Sequence, residues 1–379
     1  MSYTVLARRY RSRDFGELVG QNAVAKTLQT AIAEDRVAHA YLFTGTRGVG
    51  KTSTARIFAN ALNNPKGDQA ITDAIMQGRD TDVIEIDAAS NSKVEEAREL
   101  IANAVYRPMR GIKKIYIIDE CHMLSTAAFN ALLKTMEEPP AHVVFILCTT
   151  ETHKVPATIQ SRCQRFDFRN IPTAEIARHL GAVLKEEKRE ATPELLHAVA
   201  RLAAGSMRDA LSLMDRLLAG TDKKLTVPML EELLGLPEAQ LVSTVIDAIS
   251  AGDAGAALKA AGRLLGRGTS GDTLLGSMAE RFRDLLVIAQ CGPDPELLDL
   301  PPEVLAEAEA QARKFDPAAL VYNIALCDSV AKSAKNSAFP RAVIDAAISR
   351  MAMAERFASA GVVARAPVAV GAGAPVKKA

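Results

Sequence analysis

Eight consecutive residues, Gly45-Thr46-Arg47-Gly48-Val49-Gly50-Lys51-Thr52, match the pattern G-x-x-x-x-G-K-[ST]. The chemistry follows from the spacing. Glycines let the backbone curl so that successive N–H groups meet phosphate oxygens, and the positive end of a following helix favours the same anion. Lys51 then reaches the β- and γ-phosphates of a nucleoside triphosphate, the Thr52 hydroxyl ligates Mg2+, and Ser53 carries the binding loop into the helix. A second pair of groups, Asp119 and Glu120, ends the run KIYIIDE (114–120). Asp119 suits Mg2+, which keeps its waters and needs few protein ligands. Glu120 suits a general base that polarises an attacking water.

These groups need elements to hold them. The apolar run 40–43 predicts a strand before the loop, and 54–62 a helix after it. Further strands are expected at 82–87, 114–120 and 143–147, with helices at 22–33, 68–79 and 126–138, the last stopped by Pro139-Pro140. Alternating strands and helices give an α/β fold, a mostly parallel sheet with helices on both faces. Ligands of such sheets bind at the carboxyl ends of strands, where the loop, Asp119-Glu120 and Thr149-Thr150 all fall. Ser92 to Glu95 reads as a capping box opening a helix to about residue 105. Lys93 and Arg98 lie near its start, where a phosphate backbone is a sensible partner and a solvated surface the alternative. From residue 172 the strands stop. Helices are expected at 173–187, 192–204 and 206–219, capped by Thr173, Thr192 and Ser206, with more helices over 225–357. The boundaries drawn are 1–171, 172–222, 223–358 and a flexible Ala/Gly/Pro-rich tail, 359–379.

The overall charge of +1 hides a basic start: residues 1–56 hold nine Lys/Arg against four Asp/Glu, a balance suited to a nucleotide or polyanion. No apolar run reaches the ~18 residues of a membrane span, and the N-terminus lacks a secretory core. Five cysteines, never paired as C-x-x-C, indicate neither a disulfide framework nor a zinc site. A cytosolic protein is expected. Cys163 and His122 read as packing residues, since no partner stands at metal-ligand spacing.

The chain resembles the gamma/tau family of bacterial DNA polymerase III, the AAA+ ATPase subunits of the replicative clamp loader. The likeness runs through LARRYR (6–11), VGQ (19–21), HAYLF (39–43), GTRGVGKTSTAR (45–56), EIDAASNSKVEEAREL (85–100) and IIDECHML (117–124). It continues through FNALLKTMEEPP (129–140), TIQSRCQRF (158–166) and GSMRDALSL (205–213), and weakens in the last helices, where NSAFPR (336–341) is similar. The resemblance implies an AAA+ P-loop domain, a small helical lid and an all-α collar. It implies ATP and Mg2+ as ligands, with Lys51, Thr52, Asp119 and Glu120 in the roles above. Thr150 matches the γ-phosphate sensor, Arg162 the arginine finger that reaches a neighbouring subunit's site, and Arg208 the lid arginine that touches phosphate in cis. Arg8, Tyr10, Arg11 and Val19 match the adenine-side cover. Lys93 and Arg98 match a helix that tracks duplex DNA, and Val105, Tyr106, Pro108 and Met109 an apolar end that meets the sliding clamp.

The implied partners are the other loader subunits in a hetero-pentameric ring with copies of this chain, the sliding clamp and primed-template DNA, at the cytoplasmic nucleoid. Membrane is not among them. Any polymerase activity would belong to the holoenzyme. One departure stands out: the family's four-cysteine zinc module is not expected, because residues 53–120 hold no Cys and Asn64 occupies the first ligand's place. The low-complexity end fits a short product or a truncation. Two other readings compete. Asp119-Glu120-Cys121-His122 also spells the D-E-x-H of nucleic-acid helicases, but those need a second ATPase-like domain and residues 172–379 read as helical. A non-catalytic scaffold subunit would tend to lose the loop lysine or the Asp-Glu pair, and both are intact.

Overall fold

The computed structural model describes residues 4–90, 106–220, 223–294, 297–298, 300 and 302–354. Two compact units divide it, one up to Thr226 and one from Val227.

The first unit is built on five parallel strands: β1 (Ala40–Thr44), β2 (Val83–Asp87), β3 (Lys114–Asp119), β4 (Val143–Thr149) and β5 (Gln164–Asp167), in the order β2-β3-β4-β1-β5. Alternation divides each strand between two cores. Tyr41, Phe43, Ile115, Ile117 and Ile146 face the layer of α2 (Asn22–Ala33) and α3 (Lys51–Asn63), where Phe58 meets Tyr41 edge-on at 5.0 Å. Leu42, Tyr116, Ile118, Phe145 and Leu147 face α5 (Thr126–Glu137) through Phe129 and Leu132. Burial on both faces explains why β1, β3 and β4 read as unbroken apolar runs. Register sets the strand ends level: Thr44 pairs with Thr149 and Asp167, and Asp87 with Asp119.

Three helices follow the sheet: α7 (Thr173–Glu186), α8 (Pro193–Leu202) and α9 (Met207–Gly220). Thr192 caps α8 and Ser206 caps α9, their hydroxyls accepting from the N–H groups of Leu195 and Asp209. Thr173 does not cap α7. The chain enters that helix extended from Pro172 (ψ 140°), and Thr173 is already its first helical residue. A short N-terminal helix, α1 (Leu6–Arg9), lies against α9, the Leu6 N–H reaching Asp215.

Between α3 and β2, Asn64 organises a turn. Its side chain bonds Asp68 in both directions, at 2.8 and 2.9 Å, and leads into α4 (Gln69–Met76).

The second unit is helical from α10 (Val227–Leu234) through α11 (Ala239–Ser250), α12 (Ala254–Gly266), α13 (Gly271–Cys291), α14 (Pro302–Ala312), α15 (Pro317–Lys335) and α16 (Pro340–Ala352). The 21-residue α13 runs through its core, burying Leu274, Leu275, Met278, Phe282 and Leu285. Phe282 meets Phe315 edge-on at 5.9 Å.

Candidate active site

The loop between β1 and α3 is shaped for an anion. Gly48 (φ +78°) and Gly50 (φ +103°) hold left-handed backbone that other residues rarely adopt. A side chain at Gly48 would also strike Ser206 Oγ, whereas Gly50 has open space before it. Helix α3 therefore begins at Lys51, directly after the last glycine.

Lys51 is only 6% exposed, and its ammonium donates to the carbonyls of Gly45 and Thr46, both at 2.8 Å. Burial pulls its amine below the ordinary lysine range, opposed by the carboxylates Glu120 and Asp119. Among the described residues no carboxylate lies within ion-pair distance of it. A buried cation without a counter-charge is costly, and a phosphate is the group that would relieve it.

Opposite stands Asp119 at the end of β3. Thr52 Oγ1 donates to its Oδ2 at 2.6 Å, and the Glu120 N–H to its Oδ1 at 3.0 Å. Burial raises the Asp119 carboxyl above its usual range although both donors oppose this. One hydroxyl and one carboxylate are the protein share of a typical Mg2+ site, with phosphate and water completing the shell. Among the described residues no cluster of three or more His, Cys, Asp or Glu side chains could hold a metal.

Glu120 has left-handed backbone (φ 46°, ψ 44°), and its Oε2 accepts from Thr150 Oγ1 at 3.1 Å. The sequence-derived base and sensor are therefore in contact.

The cleft over the loop is lined by Tyr10, Arg11, Val19, Arg47, Gly48, Val49, Gly50, Lys51, Thr52, Ser53, Asp119 and Arg208, among others. Arg8 lines an adjoining arginine-rich cleft instead, with Arg11 and Arg208 common to both. Tyr10 donates its hydroxyl to Glu187, which follows α7, at 2.5 Å; burial and that carboxylate push its pKa up to about 12. Burial holds the Arg11 guanidinium below its ordinary range, as do Arg56 and Arg208 nearby. Arg162 is not brought to this cleft. It follows α6 (Ala157–Gln160), bonded to Thr158 O at 2.8 Å and to Glu137 of α5 at 2.9 Å. Lys93, Arg98 and Val105 lie outside the described residues.

Sequence reasoning missed several supports. Gln21, 4% exposed, donates to Arg169 O at 2.7 Å and reaches Val49 O at 3.5 Å, tying the loop to the chain that leaves β5. Asn170 accepts from Thr46 Oγ1 at 2.6 Å. Arg56 grips Glu85 with two N–H groups at 2.6 and 2.7 Å, joining α3 to β2. His179 also lines the cleft, where burial lowers its pKa. The run Val19-Gly20-Gln21 was a visible signal for Gln21 as a turn; its long-range partners were not visible.

Comparison with known proteins bears on this arrangement. Residues 20–172 match the family described as DNA polymerase III, delta subunit, and residues 175–223 the DNA polymerase III clamp loader subunit, ATPase lid domain. The DNA polymerase III subunit gamma of Buchnera aphidicola is 41% identical over 244 residues, 62% of this chain and 67% of that protein. This chain belongs to the DNA polymerase III gamma/tau family. Its member from Haemophilus influenzae, subunit tau/gamma, is 41% identical over 295 residues, 76% of this chain but 43% of that relative's length. Among solved structures, the Thermotoga maritima RuvB Holliday junction branch migration motor aligns with 63% of this chain and 79% of its own, at 18% identity and a TM-score of 0.46.

Proposed function

We propose that this chain is an ATP-hydrolysing subunit of the bacterial replicative clamp loader, using ATP to open the sliding clamp and place it on primed-template DNA. The observation that carries the reading is the buried Lys51 ammonium, held by carbonyls alone, facing the Thr52–Asp119 pair across the loop. Lys51 and Arg208 bind the phosphates, with Tyr10, Arg11 and Val19 beside the nucleotide. Thr52 and Asp119 would hold Mg2+, which supplies positive charge to the phosphate oxygens. Glu120 orients and deprotonates the attacking water, and Thr150 senses the γ-phosphate.

Arg162 lies apart from its own cleft, which supports a role in the site of a neighbouring subunit. Such fingers contribute roughly 10³–10⁵ in rate, so a lone subunit hydrolyses slowly and turnover waits for the ring. ATP then favours the open assembly, DNA completes it, and hydrolysis releases the clamp. The same reading assigns duplex contact to Lys93 and Arg98, assigns lid and collar roles to 172–222 and 223–358, and sets the work in the cytoplasm at the nucleoid.

The test is steady-state ATP hydrolysis by the reconstituted loader, with and without clamp and primed-template DNA, for wild type and Arg162→Ala. Strong stimulation that Arg162→Ala abolishes, with ATP binding retained, supports the reading. Stimulation by single-stranded DNA alone, indifferent to Arg162, would point to a helicase.

A further inference from the structure

The imidazole of His122 is 6% exposed yet has a polar partner at each edge. Its Nδ1 lies 3.0 Å from Thr149 Oγ1 and 3.5 Å from Glu120 Oε2, and its Nε2 lies 3.3 Å from Glu151 Oε1. Thr149 is fully buried at the end of β4, and its hydroxyl oxygen accepts the Glu151 N–H at 3.0 Å. One ring thus spans the left-handed turn after β3 and the chain leaving β4. A side chain that only filled space would need neither contact.

Among the described residues the Glu120 carboxylate accepts one side-chain hydrogen bond, from the Thr150 hydroxyl at 3.1 Å, and the His122 ring is its other close side-chain neighbour. That hydroxyl has a single proton. When Thr150 donates to a phosphate oxygen, Glu120 loses its donor, and the turn that carries it has little else to fix the carboxylate.

We propose that His122 is the positioning residue for Glu120, keeping the carboxylate aimed when the Thr150 hydroxyl turns to the nucleotide. The ring takes its own bearing from Thr149 and Glu151, so the end of β4 sets the direction of a group on the end of β3. This rests on Glu120 acting as the general base.

The experiment uses the reconstituted loader with clamp and primed-template DNA, comparing His122→Leu, His122→Asn, His122→Gln, Glu120→Gln and the double variant His122→Leu/Glu120→Gln. His122→Leu should lower kcat on the order of 10²-fold while KM and nucleotide affinity stay within about twofold, because aim is lost and binding is not. Asparagine, which places a polar group where Nδ1 stands, should restore most of the rate. Glutamine, which resembles the Nε2 edge, should not. In the Glu120→Gln background, His122→Leu should cost nothing more, since a residue acting through Glu120 is silent without it.

Wild-type turnover in His122→Leu overturns the proposal, as does an additive double variant or a loss of kcat matched by lost affinity and melting temperature. If His122→Leu does not fold, the asparagine and glutamine variants decide alone: equal rates, or a faster glutamine variant, overturn it. Full hydrolysis by Glu120→Gln would instead remove the general-base reading beneath it.

Discussion

The two units treat buried polar groups in opposite ways. In the helical unit they join helices: Gln311 donates to Ser243 O at 3.1 Å and accepts from Arg281 at 2.9 Å, while Ser243 reaches Glu307 at 2.8 Å. Left-handed backbone there falls on glycines alone among the described residues, at Gly235, Gly252, Gly268 and Gly292. In the α/β unit, four non-glycine residues take that backbone, Glu120 among them, and a lysine is buried against carbonyls only. Three of the four follow helices, but Glu120 follows a strand beside the buried lysine, so in this unit strain and uncompensated charge meet where they can act on a ligand.

Glu120→Gln tests this contrast most severely. It keeps the shape of the site but removes the base, so turnover should fall about 10²–10⁴-fold with nucleotide affinity retained. Single-turnover hydrolysis and nucleotide titration measure the two quantities. In the helical unit, Phe282→Ala should cost about 3–5 kcal/mol in unfolding free energy, because it empties a core contact. Denaturant titration reads this; nucleotide binding to the α/β unit should persist, and its loss would mean that the units are not distinct.

Asp82 supplies a third test. Its burial favours the neutral acid, but the N–H groups of Gly111, Met109 and Arg110, at 2.7–2.8 Å, together with Lys114, hold its carboxyl below the ordinary range. A depressed folded pKa adds stability that is full above the unfolded value, about 3.9, and is lost as pH falls through the folded one. Asp82→Asn should therefore cost about 1–3 kcal/mol at neutral pH and flatten the acid limb of the stability curve. Denaturant midpoints taken between neutral pH and acid would show it.

The smallest effects form a pair. Glu120→Gly should gain about 1 kcal/mol by relieving left-handed strain while hydrolysis is lost, and Gly235→Ala should lose about as much by introducing it. Equal signs in the two variants would erase the contrast.

Much of the sheet was legible because strands buried on both faces leave long apolar runs. β5 was not: in Gln164–Asp167 only Phe166 points inward. Helix α3 starts three residues before its expected beginning, since periodicity cannot show that Gly50 already stands at its N-terminus. Lys51, Thr52 and Asp119 were readable because fixed spacing encodes their geometry. Gln21 and Arg169 meet across 148 positions, and no local pattern records such a pairing. His122 was read as packing for the same reason: its burial shows in the sequence, its polar partners only in the fold.

The contact of Gly48 with Ser206 has a mechanical consequence. The loop's backbone rests on the hydroxyl that caps α9, with no room for even one methyl group between them. Parts seated this closely have no backlash. A loop that moved toward α9 at Gly48 would meet the Ser206 hydroxyl at once, so the first turn of α9 would have to move with it or give up its cap.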